Sequence, residues 1–308
     1  MIKPILLAGP TASGKSALAL ALAERLGGAV INADSQQVWR EWRILTARPS
    51  PAEEARVPHF LYGHVGAGES YSVGAWLRDL DEVLAECRSR GLRPIITGGT
   101  GLYFAALTEG LAPIPPIPAE IRARGEALLA GLGTTAFAAR LAARDPQTAA
   151  RLDRTNPARL LRAWEVLEAT GVPLAEWQRR TPAPPVPLAD AVALTLTPAR
   201  DRLAARIAAR FEAMLGEGVL AEVRAVMALD LPPRAPGLKV IGARELTAHL
   251  AGELSLAEAQ ARVVTLTRRY AKRQMTWIRN RMLHWERLSG HDPAGILAQA
   301  TELVRKAG

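Results

Sequence analysis

The sequence predicts an α/β fold: a P-loop parallel sheet flanked by helices, with an inserted all-helical subdomain. Three observations carry this. The apolar run IKPILLA (2–8) leads into GPTASGKS (9–16) and on into the helix-like GKSALALALAERL (14–26). The short apolar runs AVINAD (29–34) and RPIIT (93–97) end in loops, with a helical pattern over 74–90 between them. The proline-rich stretches LAPIPPIPAE (111–120) and TPAPPVPLAD (181–190) bracket a segment with no strand-like alternation. Strands alternating with helices imply a parallel sheet covered on both faces.

Taken in order, residues 2–8 are expected to be a buried strand, 9–16 a glycine loop and 14–26 a helix, the context a phosphate-binding loop needs. Proline lacks an amide donor and fixes φ, so neither proline-rich stretch suits a helix interior or a central strand. Residues 119–180 between them are Ala- and Arg-rich and read as helix, and AVALTLT (191–197) reads as a strand again. The expected organisation is a P-loop core formed by 1–112 and 190–308, including C-terminal helices, with 113–189 as the helical insertion. One continuous domain with two surface loops remains open as the competing organisation. From Pro198 onward the chain reads as mostly helical, ending in a basic, aromatic-bearing segment over about 256–283.

A chain of 308 residues with 49% hydrophobic and 22% charged content can build a full core, which excludes a disordered class. No apolar run reaches 18 residues, so no membrane partner is expected. The N-terminus lacks the pattern of a signal peptide, and a cytoplasmic address is expected. Cys87 is the single cysteine, which excludes an internal disulfide framework and a cysteine-based zinc site. His59, His64, His249, His284 and His291 show no metal-ligand spacing. The net charge of +9 favours a polyanionic partner, although Arg- and Ala-rich composition alone also produces basic chains.

Gly9, Pro10, Thr11, Ala12, Ser13, Gly14, Lys15 and Ser16 carry the sharpest chemistry. In such loops, backbone N–H groups and the following helix's positive dipole end surround phosphate oxygens. Lys15 reaches a terminal phosphate, and Ser16 is placed to hold Mg²⁺. The loop does not identify the ligand. A P-loop NTPase adds a second apolar strand ending in an acid. Here RPIIT runs into Gly98 and Gly99, LTLT into Pro198, and only AVINAD ends in an acid, Asp34. Three readings of Asp34 stay open from the residues alone: a Mg²⁺ ligand of a small-molecule kinase, a general base facing an acceptor, or a helix N-cap without chemistry. A non-catalytic RNA-binding protein with a vestigial loop is a third class of function.

A longer series of motifs narrows these. GPTASGKS, INADSQQVW (31–39), TARP (46–49), GGTGLYFAALTEGL (98–111), Asp145-Pro146, ARLLRAWEVLEATG (158–171), FEAMLGEGVLAEVRAV (211–226), KVIGARE (239–245) and RRYAKRQMTWIRNR (268–281) follow one another along nearly the whole chain. In that order they resemble the bacterial tRNA dimethylallyltransferases, also called tRNA isopentenyltransferases. The resemblance implies transfer of a dimethylallyl group from dimethylallyl diphosphate to N6 of the adenosine beside the anticodon, at tRNA position 37. The loop then holds the donor's diphosphate, and ATP hydrolysis is not needed, in keeping with the missing second acid.

By the same resemblance, Asp34 is the base, Lys15 and Mg²⁺ on Ser16 stabilise departing pyrophosphate, and Thr100 and Arg224 assist near the bridging oxygen or the adenine. Asp34, Ser35, Gln36, Gln37 and Val38 would meet the flipped adenine and its neighbour, with Thr100. Arg122, Arg159, Arg162, Lys239 and Arg244 would touch the tRNA, and the insertion would grip the anticodon stem. A monomer is expected. In the last basic segment Val263, Leu266, Tyr270 and Trp277 recur at helical spacing and are expected to face the core, with Arg268, Lys272 and Arg279 on another face.

The chain departs from the family pattern at several positions. Trp39 stands where Tyr is usual, keeping a stacking surface but losing a hydroxyl. Glu41 and Leu45 replace glycines, Arg43 an Asp and Arg48 a Lys, which leaves the geometry of that loop open. Asn156 replaces an Asp. Ala243 replaces an aromatic, which would weaken an RNA contact.

Overall fold

The structure is a computed structural model describing residues 2–290 and 292–307. The first half of the fold runs β1 (Ile5–Ala8), α1 (Lys15–Leu26), β2 (Gly28–Asn32), α2 (Pro51–Glu54), β3 (His59–Phe60), α3 (Val73–Ser89), β4 (Arg93–Gly98) and α4 (Gly101–Glu109). Helices α5 (Ala119–Arg144), α6 (Pro146–Ala149), α7 (Pro157–Thr170) and α8 (Leu174–Arg179) follow. The chain then returns through β5 (Val192–Leu196), α9 (Arg200–Gly216), α10 (Val219–Met227), α11 (Ala243–Leu250), α12 (Leu256–Arg281), β6 (Glu286–Leu288) and α13 (Pro293–Lys306).

The strands form one six-stranded parallel sheet in the order β3-β2-β4-β1-β5-β6. Central strands buried on both faces need continuous apolar runs, as in Ile-Leu-Leu-Ala of β1. Successive side chains point to opposite faces. Leu6 and Ala8 therefore join Ile31, Trp76, Leu80, Ile96 and Phe104 on one face. Ile5 and Leu7 join Leu18, Leu22, Val30, Ile95 and Leu194 on the other. Helices α9 to α12 carry a further core, in which Phe211, Met214, Val223, Val226, Leu246 and Val263 pack with Trp39, Trp42 and Leu45. The long α12 starts on a capping box, Ser255 with Glu258, which satisfies the N–H groups its first turn leaves over.

Two strands differ from the reading of the sequence. β3 has only two residues, too few for any periodicity to show. β6 lies in the stretch read as helical, and its Glu-Arg-Leu forms a strand because it pairs with the edge of β5. β2 also ends at Asn32, two residues before Asp34, which places Asp34 in the loop past the strand's C-terminal end.

By contact density the chain divides into two units, Met1–Thr108 with Pro185–Gly308, and Glu109–Pro184. The second begins and ends a few residues before the expected 113–189. It is all helical, with its own core of Phe137, Leu141, Leu160, Ala163, Trp164 and Leu174. Asp145 caps α6 by accepting from the Thr148 N–H at 2.9 Å, and Asn156 caps α7 by accepting from Arg159. The cap role explains why Asn serves at position 156 as well as Asp does. Gly133 breaks α5 with φ of 73°.

Candidate active site

The loop after β1 turns tightly. Its Ala12 and Gly14 both sit at positive φ, 62° and 96°. At Gly9, a Cβ would stand 2.8 Å from both the Leu196 carbonyl oxygen and Ser13 Oγ, so only glycine fits. The first helical bond of α1 runs from Leu18 N to Gly14 O, which leaves N–H groups of the preceding first turn for a ligand, apart from Lys15 N, which donates to Ser13 Oγ at 3.4 Å. Lys15 is buried, and its Nζ donates to the Pro10 carbonyl at 3.4 Å. Burial pushes its pKa down to about 8, with repulsion from Arg210 adding to this and attraction to Asp34 opposing it.

Two guanidiniums from α9 close over the loop. Arg206 Nη1 donates to Ser13 O at 3.0 Å, and Arg210 Nη2 to Thr11 Oγ1 at 2.6 Å. Burial holds Arg210 below the usual arginine value, while Asp34 acts in the opposite direction.

Asp34 is held by its own turn. Asn32 Oδ1 accepts from Asp34 N at 2.8 Å, and Asn32 Nδ2 donates to Asp34 O and Leu61 O. Asp34 Oδ1 accepts from Gln36 N at 3.0 Å. The segment lies hard against the end of β4. A Cβ at Gly98 would stand 2.1 Å from the Ala33 carbonyl, one at Gly99 1.9 Å from Gln274 Nε2, and one at Gly101 2.3 Å from the Trp277 ring. Close approach rather than positive φ thus calls for glycine at 98, against backbone, and at 101, against a ring, whereas at Gly99 the atom in the way is the movable end of Gln274. Between them, Thr100 Oγ1 accepts from Ser35 N at 2.9 Å and donates to Ser35 Oγ at 3.2 Å.

A cleft of about 450 Å³ brings these parts together. Thr11 to Ala17 line one wall, and Asp34, Gln36, Gln37 and Tyr270 line the other, with Arg206 and Arg210 alongside. Ser16 lines it too, and its hydroxyl and the Asp34 carboxylate are among the oxygen groups able to face a cation held by a ligand's phosphates, with the Glu53 carboxylate also on the lining. Among the described residues, no group of three or more His, Cys, Asp or Glu residues could hold a metal alone; His291 lies outside them. This donor set suits a hydrated hard cation shared with phosphate oxygens.

Other residues chosen from the sequence fall elsewhere. Arg224 is exposed on α10 and does not line the cleft, because Val223 and Val226 occupy the helix face turned to the core. Arg206 and Arg210 are the arginines that line the cleft. Gln36 Oε1 accepts from Ile241 N, and Gln37 Nε2 donates to the carbonyls of Thr46 and Ala47, so both amides tie the wall together. Lys239 and Arg244 are exposed on either side of the cleft-lining Val240 and Ile241. In the helical unit, Arg122 and Arg162 converge on the buried carboxylate of Glu165 at 3.4 and 3.7 Å, and Arg159 is exposed.

Trp39 is buried in the core of α9 to α12, so its ring is packed there and is not an open stacking surface. Ala243 is buried as well. The loop around Arg43 is settled by Glu222, whose carboxylate accepts from the N–H groups of Arg43, Ile44 and Leu45 at 2.6, 2.7 and 2.9 Å. Glu41 accepts from Ala67 N, and Arg48 donates to the carbonyls of Trp39 and Arg40.

Helix α12 supplies what the sequence reading missed. Tyr270, expected in the core, lines the cleft and is hydrogen-bonded to Thr100 and Ser35; burial first, then Asp34, pushes its pKa up. Gln274, one turn further on, is buried, and its Oε1 accepts from Thr11 N at 2.9 Å. Its Nε2 has no partner, a condition that costs about 1–3 kcal/mol for a buried donor. Spacing of i and i+4 beside the expected core positions was the available signal.

Comparison with known proteins shows the family. A family profile described as "IPP transferase" matches residues 37–281. The tRNA dimethylallyltransferase of Cereibacter sphaeroides is 56% identical over 286 residues, covering 93% of this chain and 88% of its own. That of Azorhizobium caulinodans is 54% identical over 306 residues, covering 99% and 97%. Among solved structures, the tRNA isopentenylpyrophosphate transferase of Bacillus halodurans superposes with a TM-score of 0.69 at 30% identity, covering 100% and 98%. A eukaryotic dimethylallyltransferase acting on tRNA superposes at 0.78 with 26% identity, covering 92% and 71%.

Proposed function

The chain belongs to the IPP transferase family, the tRNA dimethylallyltransferases, and we propose that it moves a dimethylallyl group from dimethylallyl diphosphate to N6 of the adenosine at tRNA position 37. The products are N6-isopentenyladenosine and pyrophosphate. The observation that carries this reading is the cleft in which Asp34 faces the phosphate loop. A donor diphosphate on the loop would present its reactive carbon toward the carboxylate, and a flipped adenine would enter the cleft from the Asp34 side.

The N6 lone pair attacks the allylic carbon, and the carbon–oxygen bond breaks with its electron pair passing to pyrophosphate. Asp34 takes the N6 proton as the new bond forms. An exocyclic adenine amine is a poor nucleophile because its lone pair is delocalised into the ring, and a placed base contributes about 10²–10⁴-fold. Lys15, Arg206, Arg210 and the loop amides stabilise the leaving pyrophosphate; the three cations already lie on the loop, bonded to Pro10 O, Ser13 O and Thr11 Oγ1, and turn from it to the phosphate oxygens. Mg²⁺ bound through Ser16 and the diphosphate oxygens would add charge neutralisation. Thr100 and Tyr270 brace the acceptor side through Ser35. Arg122, Arg159 and Arg162 of the helical unit, with Lys239 and Arg244, would meet the anticodon stem-loop through its phosphates. A monomer working in the cytoplasm fits this reading.

The test is incubation with labelled dimethylallyl diphosphate and unmodified tRNA. Label is expected in tRNA, at the adenosine next to the anticodon. An unlabelled tRNA, with ATP-dependent phosphorylation of a metabolite instead, would return the kinase reading.

A further inference from the structure

Gln274 joins two parts of the site that come from distant points of the chain. Its Oε1 faces the Thr11 N–H, a donor, so the amide has only one sensible orientation and its NH₂ must point the other way. That NH₂ is buried and unpartnered. Nε2 lies 1.9 Å, and Asp34 Oδ2 3.2 Å, from the point where a Gly99 Cβ would stand. The amide thus occupies the space a Gly99 side chain would need, and Nε2 and Asp34 Oδ2 lie no more than 5.1 Å apart beside it. Asp34 Oδ1 is already engaged by Gln36 N, which leaves Oδ2 as the oxygen still to be oriented.

We infer that Gln274 is a positioning residue for the transfer. Its Oε1 holds the phosphate loop at Thr11, and its NH₂ donates to Asp34 Oδ2 across Gly99 once substrates fill the cleft. One side chain then sets the loop and the base in register. The inference rests on the reading of Asp34 as base. The other charged or titratable groups around Asp34 are Lys15 from α1, Arg210 from α9, Tyr62 after β3, Tyr103 on α4 and Tyr270 on α12, and Glu53 also lines the cleft.

The experiment compares wild type, Gln274→Glu and Gln274→Met by prenyl-transfer kinetics across pH and by tRNA binding. Gln274→Glu keeps an acceptor for the Thr11 N–H, loses the NH₂ and sets a second carboxylate beside the first. Its kcat is expected to fall at least about tenfold, with the acid limb of the profile moved to higher pH by like-charge repulsion. Donor KM should stay within about threefold, because the loop contact survives. Gln274→Met loses both contacts, so kcat falls and donor KM rises, each about tenfold. A purely structural role would not move the acid limb. Wild-type kcat and acid limb in Gln274→Glu would overturn the inference. If Gln274→Met does not fold by circular dichroism, Gln274→Glu decides alone. Asp34→Asn is measured alongside. Full activity there defeats the reading of Asp34 as base, whereas its inactivity beside an unaffected Gln274→Glu defeats only the role of Gln274.

Discussion

The two walls of the cleft are built in different ways. The phosphate wall is a run of consecutive residues, Gly9 to Ser16, whose geometry follows from positive φ at Ala12 and Gly14 and from a helix start. The acceptor wall has no such run. It is assembled from Asn32 to Gln37, from Gly98 to Gly101 and from Tyr270 and Gln274 on α12, tied by hydrogen bonds across large sequence separations. Binding a diphosphate needs a local conformation. Placing a base against an acceptor needs several elements fixed at once. Substitutions in the first wall should therefore act mainly on the donor, and substitutions in the second mainly on kcat.

The largest expected effect breaks the acceptor wall alone. Asp34→Ala should lower kcat by about 10²–10⁴-fold and leave tRNA affinity nearly unchanged. If filter binding shows affinity falling as far as kcat, Asp34 is a recognition group. On the other wall, Lys15→Ala should lower kcat/KM for the donor by about 10²–10³-fold, seen by varying dimethylallyl diphosphate at saturating tRNA. Unchanged donor kinetics would show that the loop does not hold it.

A pH titration separates the walls without mutation. Lys15, with its pKa lowered to about 8, must be protonated to pair with a diphosphate. Pyrophosphate affinity measured by calorimetry should then weaken above pH 8, by up to about tenfold per unit, while Lys15→Ala shows a flatter profile. The sign for stability is opposite. Between about 8 and the ordinary 10.5 the unfolded chain binds more protons at this group, so its contribution to the stability of the free protein improves as pH rises. A pyrophosphate affinity that holds constant to pH 9.5 would contradict the lowered pKa of Lys15.

The smallest expected effect lies behind the walls. Glu222 accepts from backbone N–H groups of Arg43, Ile44 and Leu45, and Leu45 lines the cleft. Glu222→Gln keeps an acceptor oxygen for Arg43 N and Ile44 N but turns its NH₂ toward Leu45 N, and should cost about 1–3 kcal/mol, read as a lowered melting temperature. Donor KM should change little.

The amino-acid sequence by itself determined the phosphate wall, the central strands and the helical character of the second unit. Each depends on residues near one another in the chain: a glycine loop between strand and helix, apolar runs buried on both faces, and prolines that bar regular structure. It also placed Asp34 past a strand's end, where such sheets bind ligands, and Asp34 lines the cleft. Only the tertiary structure decided the rest. Arg206 and Arg210, not Arg224, line the cleft because the phase of α9 against the loop, and of α10 against its core, is set by packing. The same is true of Tyr270 and Gln274, which look like core positions along α12 until the helix is laid against Gly99 and Gly101. Trp39 is buried and Glu222 caps a distant loop for a related reason. Local conformation is encoded locally, whereas a side chain's partner depends on which surface the rest of the chain brings to it.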